Sequence, residues 1–193
     1  MVFQIPENIA PECYPMAWLL DSWQGAGVLE YTGIDAAAYI HELHIDNDNE
    51  GPYLRIRSDI WIAEEPAGAV DKEIPGDAMY AQLTKDYLWS SLTGYLRTAP
   101  GAEQRDGATL LEGITASPAG HATTWAGIIK GPQLQLVADA IAGTPTASEF
   151  SGARLMGGLV ENDLFLAYDM AAFGEELRSY MAGRLSRVAG AEQ

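Results

Sequence analysis

The stretch "WLLDSWQGAGVLEY", residues 18–31, decides how the chain is read. Trp23, Gly25 and Gly27 fall on one parity, so in a strand, where side chains alternate, they share one face. Glycine weakens a strand interior and therefore needs a reason: a bulge, a barrel corner, or the close approach of another backbone or a ligand. Glycines recur at 25, 27, 94, 113, 127, 152, 157 and 158, all inside segments that read as strands. That recurrence is expected where strands bend to close a barrel. The first expectation is that these glycines let the opening strand curve while Trp23 plugs one end.

The rest of the chain supports that reading. Strand candidates follow at 38–46, 53–63, 87–99, 108–117, 121–131, 133–143, 148–162 and 164–172. In "YLRIRSDIWIA" (53–63), Leu54, Ile56, Ile60 and Ile62 share one parity, with Tyr53, Arg55, Arg57 and Asp59 on the other. Separators such as "SPAG", "GPQ" and "GTPT" are good turn chemistry. Two segments stay ambiguous. "ADAIAG" has helix-favouring alanines, and in 175–188 the residues Leu177, Met181, Leu185 and Val188 suit a helix while Met181, Gly183 and Leu185 suit a strand. Nine or ten strands in an open sheet would expose two edges, and closure removes them. The expected fold is all-β: one antiparallel barrel of about ten strands, similar to lipocalins and fatty-acid-binding proteins, with a short N-terminal helical cap. Residues 1–15 read as an irregular extension, 16–193 as the barrel domain, and 64–82 as an acidic insertion.

Composition excludes several functions. The chain has 193 residues, 27 acids against 11 lysines and arginines, and a formal net charge of −16. Nucleic-acid binding rests on cationic surfaces, so it is not expected, and anionic membranes are disfavoured by the same sign. No apolar run is long enough to span a bilayer, and the N-terminus lacks a signal-peptide pattern. A cytoplasmic protein is expected, monomeric or a homodimer. The single Cys13 allows no internal disulfide.

Motifs for metal and nucleophilic chemistry are missing or incomplete. His41 and His44 lie three apart, on opposite faces of a strand, where they cannot share a metal. "DNDNEG" (46–51) begins like a calcium loop, but Arg57 stands where its twelfth-position carboxylate belongs. A hairpin turn is the expectation there. His121 follows a turn and reads as exposed. Arg55, Arg57, Tyr95 and Arg97 would hold the polar end of a ligand if their parity faces inward, and would be surface pairs if it faces outward.

The motif around Trp23 resembles the G-x-W-x-G-x-G signature of the nitrobindin family, small β-barrels similar in shape to fatty-acid-binding proteins. Trp23, Gly25 and Gly27 match it, and Asp21 replaces its first glycine. "EYTGI" (30–34) falls where the family has a Tyr-Pro-Thr-Ile stretch. "TGYLR" (93–97), "TPTASEF" (144–150) and "YDMAAFGEELRSYMAGRL" (168–185) follow in order, so the resemblance covers roughly 16–188. It implies a barrel that binds ferric heme through a tail histidine in a stretch like L-x-x-H-L. The matching stretch here is "LRSYM", which puts Tyr180 at that position. Two further heme contacts of the family fall on Gly33 and Ser148. A phenol must ionise to bind iron and its ordinary pKa is about 10, so Tyr180 would need supporting cations, with Arg178 and Arg184 nearest in sequence. The expectation is therefore a barrel without family-type heme binding. Its ligand would be a small, largely apolar molecule at a site marked by Trp23, Gly25, Gly27, Gly33, Ser148 and Tyr180. The alternative is a heme protein acting on nitric oxide or peroxynitrite through Tyr180.

Overall fold

A computed structural model describes residues 9–47, 50–101 and 106–188. Ten strands form a closed antiparallel barrel in the order β1-β10-β9-β8-β7-β6-β5-β4-β3-β2. They are β1 (Asp21–Tyr31), β2 (Ile34–Asp46), β3 (Leu54–Pro66), β4 (Lys85–Thr98), β5 (Thr109–Ser117), β6 (His121–Lys130), β7 (Gln133–Gly143), β8 (Phe150–Val160), β9 (Asp163–Ala172) and β10 (Arg178–Arg187). Each strand pairs with its sequence neighbours, and the β1–β10 pairing closes the ring. Both ambiguous segments are strands: "ADAIAG" lies in β7 and the tail forms β10. For the tail, period 2 prevails because β10 is the partner β1 needs to lose its edge. The calcium-like stretch includes residues 48 and 49, which lie outside the described residues.

The glycines of β1 sit at this closing seam. Gly25 pairs with Leu185 and His41, and Gly27 with Gly183 and Tyr39. A Cβ on Gly25 would strike the Arg184 carbonyl and the Leu185 backbone. One on Gly27 would strike the Ala182 carbonyl and the Tyr39 ring, and one on Gly183 would meet the Tyr39 hydroxyl. The glycines therefore make room for close backbone approach and for the Tyr39 ring, beyond allowing curvature.

One end of the barrel is sealed. A 3-10 helix (Pro11–Leu19) lies under it, and Cys13, Met16, Leu19, Trp23, Leu54, Leu111, Leu164 and Leu185 form a dry cluster, each at most 2% exposed. The boundary expected between residues 15 and 16 falls inside that helix, which packs with the core. Trp23 donates from Nε1 to the Leu19 carbonyl at 2.9 Å. Arg187 lies over its ring at 4.2 Å from the centroid and binds the carbonyls of Trp18 and Leu20 and the Asp21 carboxylate. This clamp ties the last strand to the first helix. Each large side chain buried here contributes roughly 1.5–3 kcal/mol.

The acidic insertion packs on the outer wall. Its short helix α1 (Gly76–Tyr80) is bound through Gly76 N–H to Asp163 Oδ2 at 3.3 Å and Asp77 N–H to Ser186 Oγ at 3.0 Å. Val70, Tyr80 and Leu83 cover Ala38, Ile40 and Ala63 on the outward faces of β2 and β3. That burial explains why β2 is apolar on both parities. Among the described residues, no helix is long and apolar enough to cross a membrane.

His41 and His44 fall on opposite faces of β2. His44 is outside, with Ser22 and Asp46. His41 points inward, 5% exposed, with Nε2 2.8 Å from Ser58 Oγ. Burial pushes the imidazole from 6.5 down to about 4, against the attraction of the Asp59 and Glu42 carboxylates.

Two outcomes are expected. Gly27→Val should destabilise the fold by about 3 kcal/mol through overpacking, whereas Gly33→Ala, in open space at φ +77°, should cost only about 1 kcal/mol of backbone strain. Urea midpoints of the two variants check the ranking. His41 supplies a pH dependence of definite sign. Below pH 6.5 the unfolded chain takes up a proton that the folded chain refuses, so stability present above 6.5 falls as pH drops towards 4 and levels off beneath it. Each pKa unit is worth about 1.4 kcal/mol. His41→Phe should flatten this part of the stability profile, and parallel wild-type and variant curves would show that the imidazole is not the group responsible.

Candidate functional site

The end opposite the plug is open. Directly paired residues of antiparallel strands share a face, so Trp23, Leu43, Ser58 and Leu92 all face inward, as do Gly25, His41, Ile60 and Ser90. On the far side the inward set includes Thr115, Thr123, Ile141, Leu155, Tyr168 and Met181. Near the plug such residues are buried. Towards the other end, Ser58, Leu92, Thr115, Ser117, Ile141, Tyr168 and Tyr180 keep partial exposure although they face the barrel axis, and Ser90 is exposed. Exposure of inward-facing side chains at one end describes a hollow with a mouth.

Aromatic rings line one side of this hollow. Tyr180 is the extra residue at an irregularity between Ser179 and Met181, where β10 slips against β9. The bulge turns its ring inward. It stands edge-to-face with Tyr31 at 5.9 Å and with Tyr168 at 6.2 Å between centroids. Its hydroxyl accepts a hydrogen bond from Trp89 Nε1. Trp89 lies at a second irregularity, between the pairs Ile60–Ser90 and Trp61–Leu88. Phe150 packs in the same group and meets His121 edge-on at 5.3 Å. The Tyr31 hydroxyl fixes the rim by donating to the Met170 carbonyl and accepting from the Ala172 N–H.

The opposite side is rich in hydroxyls. Ser58, Ser90, Thr115, Ser117 and Thr123 face inward from β3 to β6. Ser58 is bonded to His41, and Thr115 accepts from Trp125 Nε1 at 2.8 Å.

The residues singled out in the sequence divide between locations. Gly33, Ser148 and Tyr180 gather at the mouth: Gly33 in the β1–β2 turn, and Ser148 with its carbonyl 2.9 Å from His121 Nε2. Gly27 lies on the wall beneath Tyr39. Trp23 and Gly25 lie towards the plug. Arg55, Arg57, Tyr95 and Arg97 stand on the outer wall, away from the hollow. Arg55 pairs with Asp46, Arg57 with Asp59 and Arg97 with Glu112. Tyr95 meets Tyr53 edge-on and with Arg97 borders a depression of about 650 Å³ on that outer surface. A second outer groove, about 490 Å³, runs between β1, β7–β10 and the insertion. Neither opens onto Tyr180.

Sequence reasoning missed Trp89, Tyr31, Tyr168 and Ser58. Trp89 and Tyr180 face inward through bulges that parity counting does not register. Ser58 takes its meaning only from pairing with His41 across two strands.

The donor chemistry at Tyr180 does not suit an axial iron ligand. Burial raises the phenol above its ordinary value, outweighing the opposing Trp89 hydrogen bond, so it is neutral at physiological pH. The cations expected to help it ionise are directed elsewhere. Arg184 binds Asp163, and Arg178 binds Thr32 and Glu175 on the outside. Of the histidines, His41 is held by Ser58, His44 is outside and His121 sits at the rim.

Comparison with known proteins agrees with the barrel. A model of the THAP4-like, heme-binding beta-barrel domain matches residues 12–187. A ferric nitrobindin-like protein of Beutenbergia cavernae is 36% identical, over 98% of this chain and all of its own. A peroxynitrite isomerase of Nocardioides sp. is 32% identical over 97% of this chain and 99% of its own. A crystal structure of Rv2717c from M. tuberculosis superposes with a TM-score of 0.70 at 23% identity, covering 93% of this chain, and shares the fold. With the family model spanning the whole barrel and a full-length relative above 30% identity, this chain belongs to the nitrobindin family of THAP4-like heme-binding β-barrels.

Proposed function

We propose that this protein is a non-catalytic binding barrel that holds a small, largely apolar ligand in its open hollow and does not bind heme through an axial side chain. The state of Tyr180 carries the reading. It is a neutral phenol, bonded to Trp89 and flanked by Tyr31 and Tyr168, where the family resemblance calls for an imidazole. A neutral imidazole binds iron without losing a proton, and a phenol held this way must both ionise and break its hydrogen bond. The aromatic wall supports an apolar occupant, each methylene buried there contributing roughly 0.8 kcal/mol. The net charge of −16 supports a protein that binds no nucleic acid.

Titration with hemin tests the reading. The protein should give no saturable Soret band, and mass spectrometry of molecules that copurify with it should find an apolar compound and no heme. Tyr180→His should restore a saturable band if the rest of the mouth still accepts a porphyrin. A saturable band in the unaltered protein, abolished in Tyr180→Phe, would overturn the reading in favour of heme chemistry on nitric oxide or peroxynitrite; several relatives are named peroxynitrite isomerase.

A further inference from the structure

Polar groups in the hollow are arranged on one side and carry no charge. Among the described residues, the basic side chains are engaged or exposed away from its depth, and Arg178 reaches only the rim, 5.8 Å from the Tyr31 ring centroid. Arg55, Arg57, Arg97, Arg154, Arg178 and Arg184 pair with carboxylates on the outer surface. Lys85 lies over the Trp61 ring and binds Glu42. Lys72 and Lys130 are exposed, and Arg187 is committed to the plug beneath Trp23. A carboxylate carried into this space would lose its water and find no cation, at a cost well above that of a neutral group. The overall charge of −16 repels an anion before it arrives.

His41 and Ser58 form a hydrogen-bonded pair midway along the axis. Leu43 and Leu92 flank Ser58 in register, and Leu43 belongs to the apolar cluster of the plug. Above the His41–Ser58 pair lie Tyr39, 6.3 Å from the His41 ring, and then Trp89 and Tyr180. His41 is buried and Ser58 is only half-buried, so the serine is the member that faces open space. A hydroxyl offers one proton and two lone pairs, and one bond to His41 leaves capacity for another. An apolar hollow with one such group oriented by a buried partner is the arrangement that fixes a ligand's orientation.

We propose that the His41–Ser58 pair is the polar anchor of the hollow, and that the ligand is an uncharged ring compound bearing a hydroxyl or carbonyl, its ring against Trp89, Tyr168 and Tyr180. The proposal rests on the reading of the barrel as an apolar-ligand site and adds to it the charge, shape and polar edge of the ligand. It separates this barrel from carriers that hold a fatty-acid carboxylate. Uncharged imidazole is the state expected at neutral pH, since burial pushes His41 down to about 4.

Equilibrium dialysis of the full chain at neutral pH against naphthalene, 2-naphthol and 2-naphthoate tests it, because the three share one ring system. The naphthol should bind about tenfold tighter than naphthalene, and the naphthoate at least about tenfold weaker than the naphthol. Ser58→Ala should reduce the preference for naphthol over naphthalene to under about threefold. His41→Gln, which keeps a donor and an acceptor, should retain part of the preference. Equal binding of naphthoate and naphthol, or an undiminished naphthol preference in Ser58→Ala, would overturn this inference while leaving an apolar-ligand barrel. Failure of all three to bind would overturn the apolar-ligand reading itself.

Discussion

Close contact between the first and last strands is the constraint on which the structure depends. β1 and β10 are distant in sequence and meet only when the sheet has curled fully round. At the meeting point the backbones and the Tyr39 ring occupy the space that side chains at Gly25, Gly27 and Gly183 would need. Closure therefore depends on atoms being absent as much as on contacts being made. Once closed, the barrel has no free edge, and hydrogen bonding runs round the ring without interruption.

Closure also sets up the difference between the two ends. The strand that completes the ring carries Arg187 into the plug, where it bridges Trp18, Leu20, Asp21 and the Trp23 ring. Among the described residues, nothing comparable fills the other end. There β10 bulges at Tyr180 and β4 at Trp89, and the two displaced aromatics meet by a hydrogen bond across the mouth. One end gains stability from dry packing. The other keeps inward-facing side chains partly accessible, which is what a binding site needs.

The family relationship and the chemistry of the mouth have different sources. The barrel is shared with the heme-binding family. A phenol stands at position 180, and a fold hosts different functions according to the groups placed on it. Neutral Tyr180, neutral His41 and a hydroxyl-lined wall together make a hollow without formal charge inside a protein with a large negative one. An acidic exterior and an uncharged interior both disfavour an anion.

Much of this was legible in the sequence for a physical reason: strand alternation and turn chemistry are local. The parity of Leu54, Ile56, Ile60 and Ile62 foretold the inner face of β3, the spacing of His41 and His44 put them on opposite faces, and the Trp23 motif located the plug. Tyr180 was identified by the order of the tail motif. What the sequence could not decide is non-local. The parity that put Leu54 inside also put Arg55 and Arg57 outside, and only the β3–β4 pairing decided that Tyr95 and Arg97 share that outer face. Bulges at Trp89 and Tyr180 reverse the parity that counting assigns, and the His41–Ser58 bond joins residues 17 apart on neighbouring strands. Local pattern determined that a barrel forms and where its seam lies. Which groups face its interior was decided by closure, since the register of one strand is fixed only when all ten have found their partners.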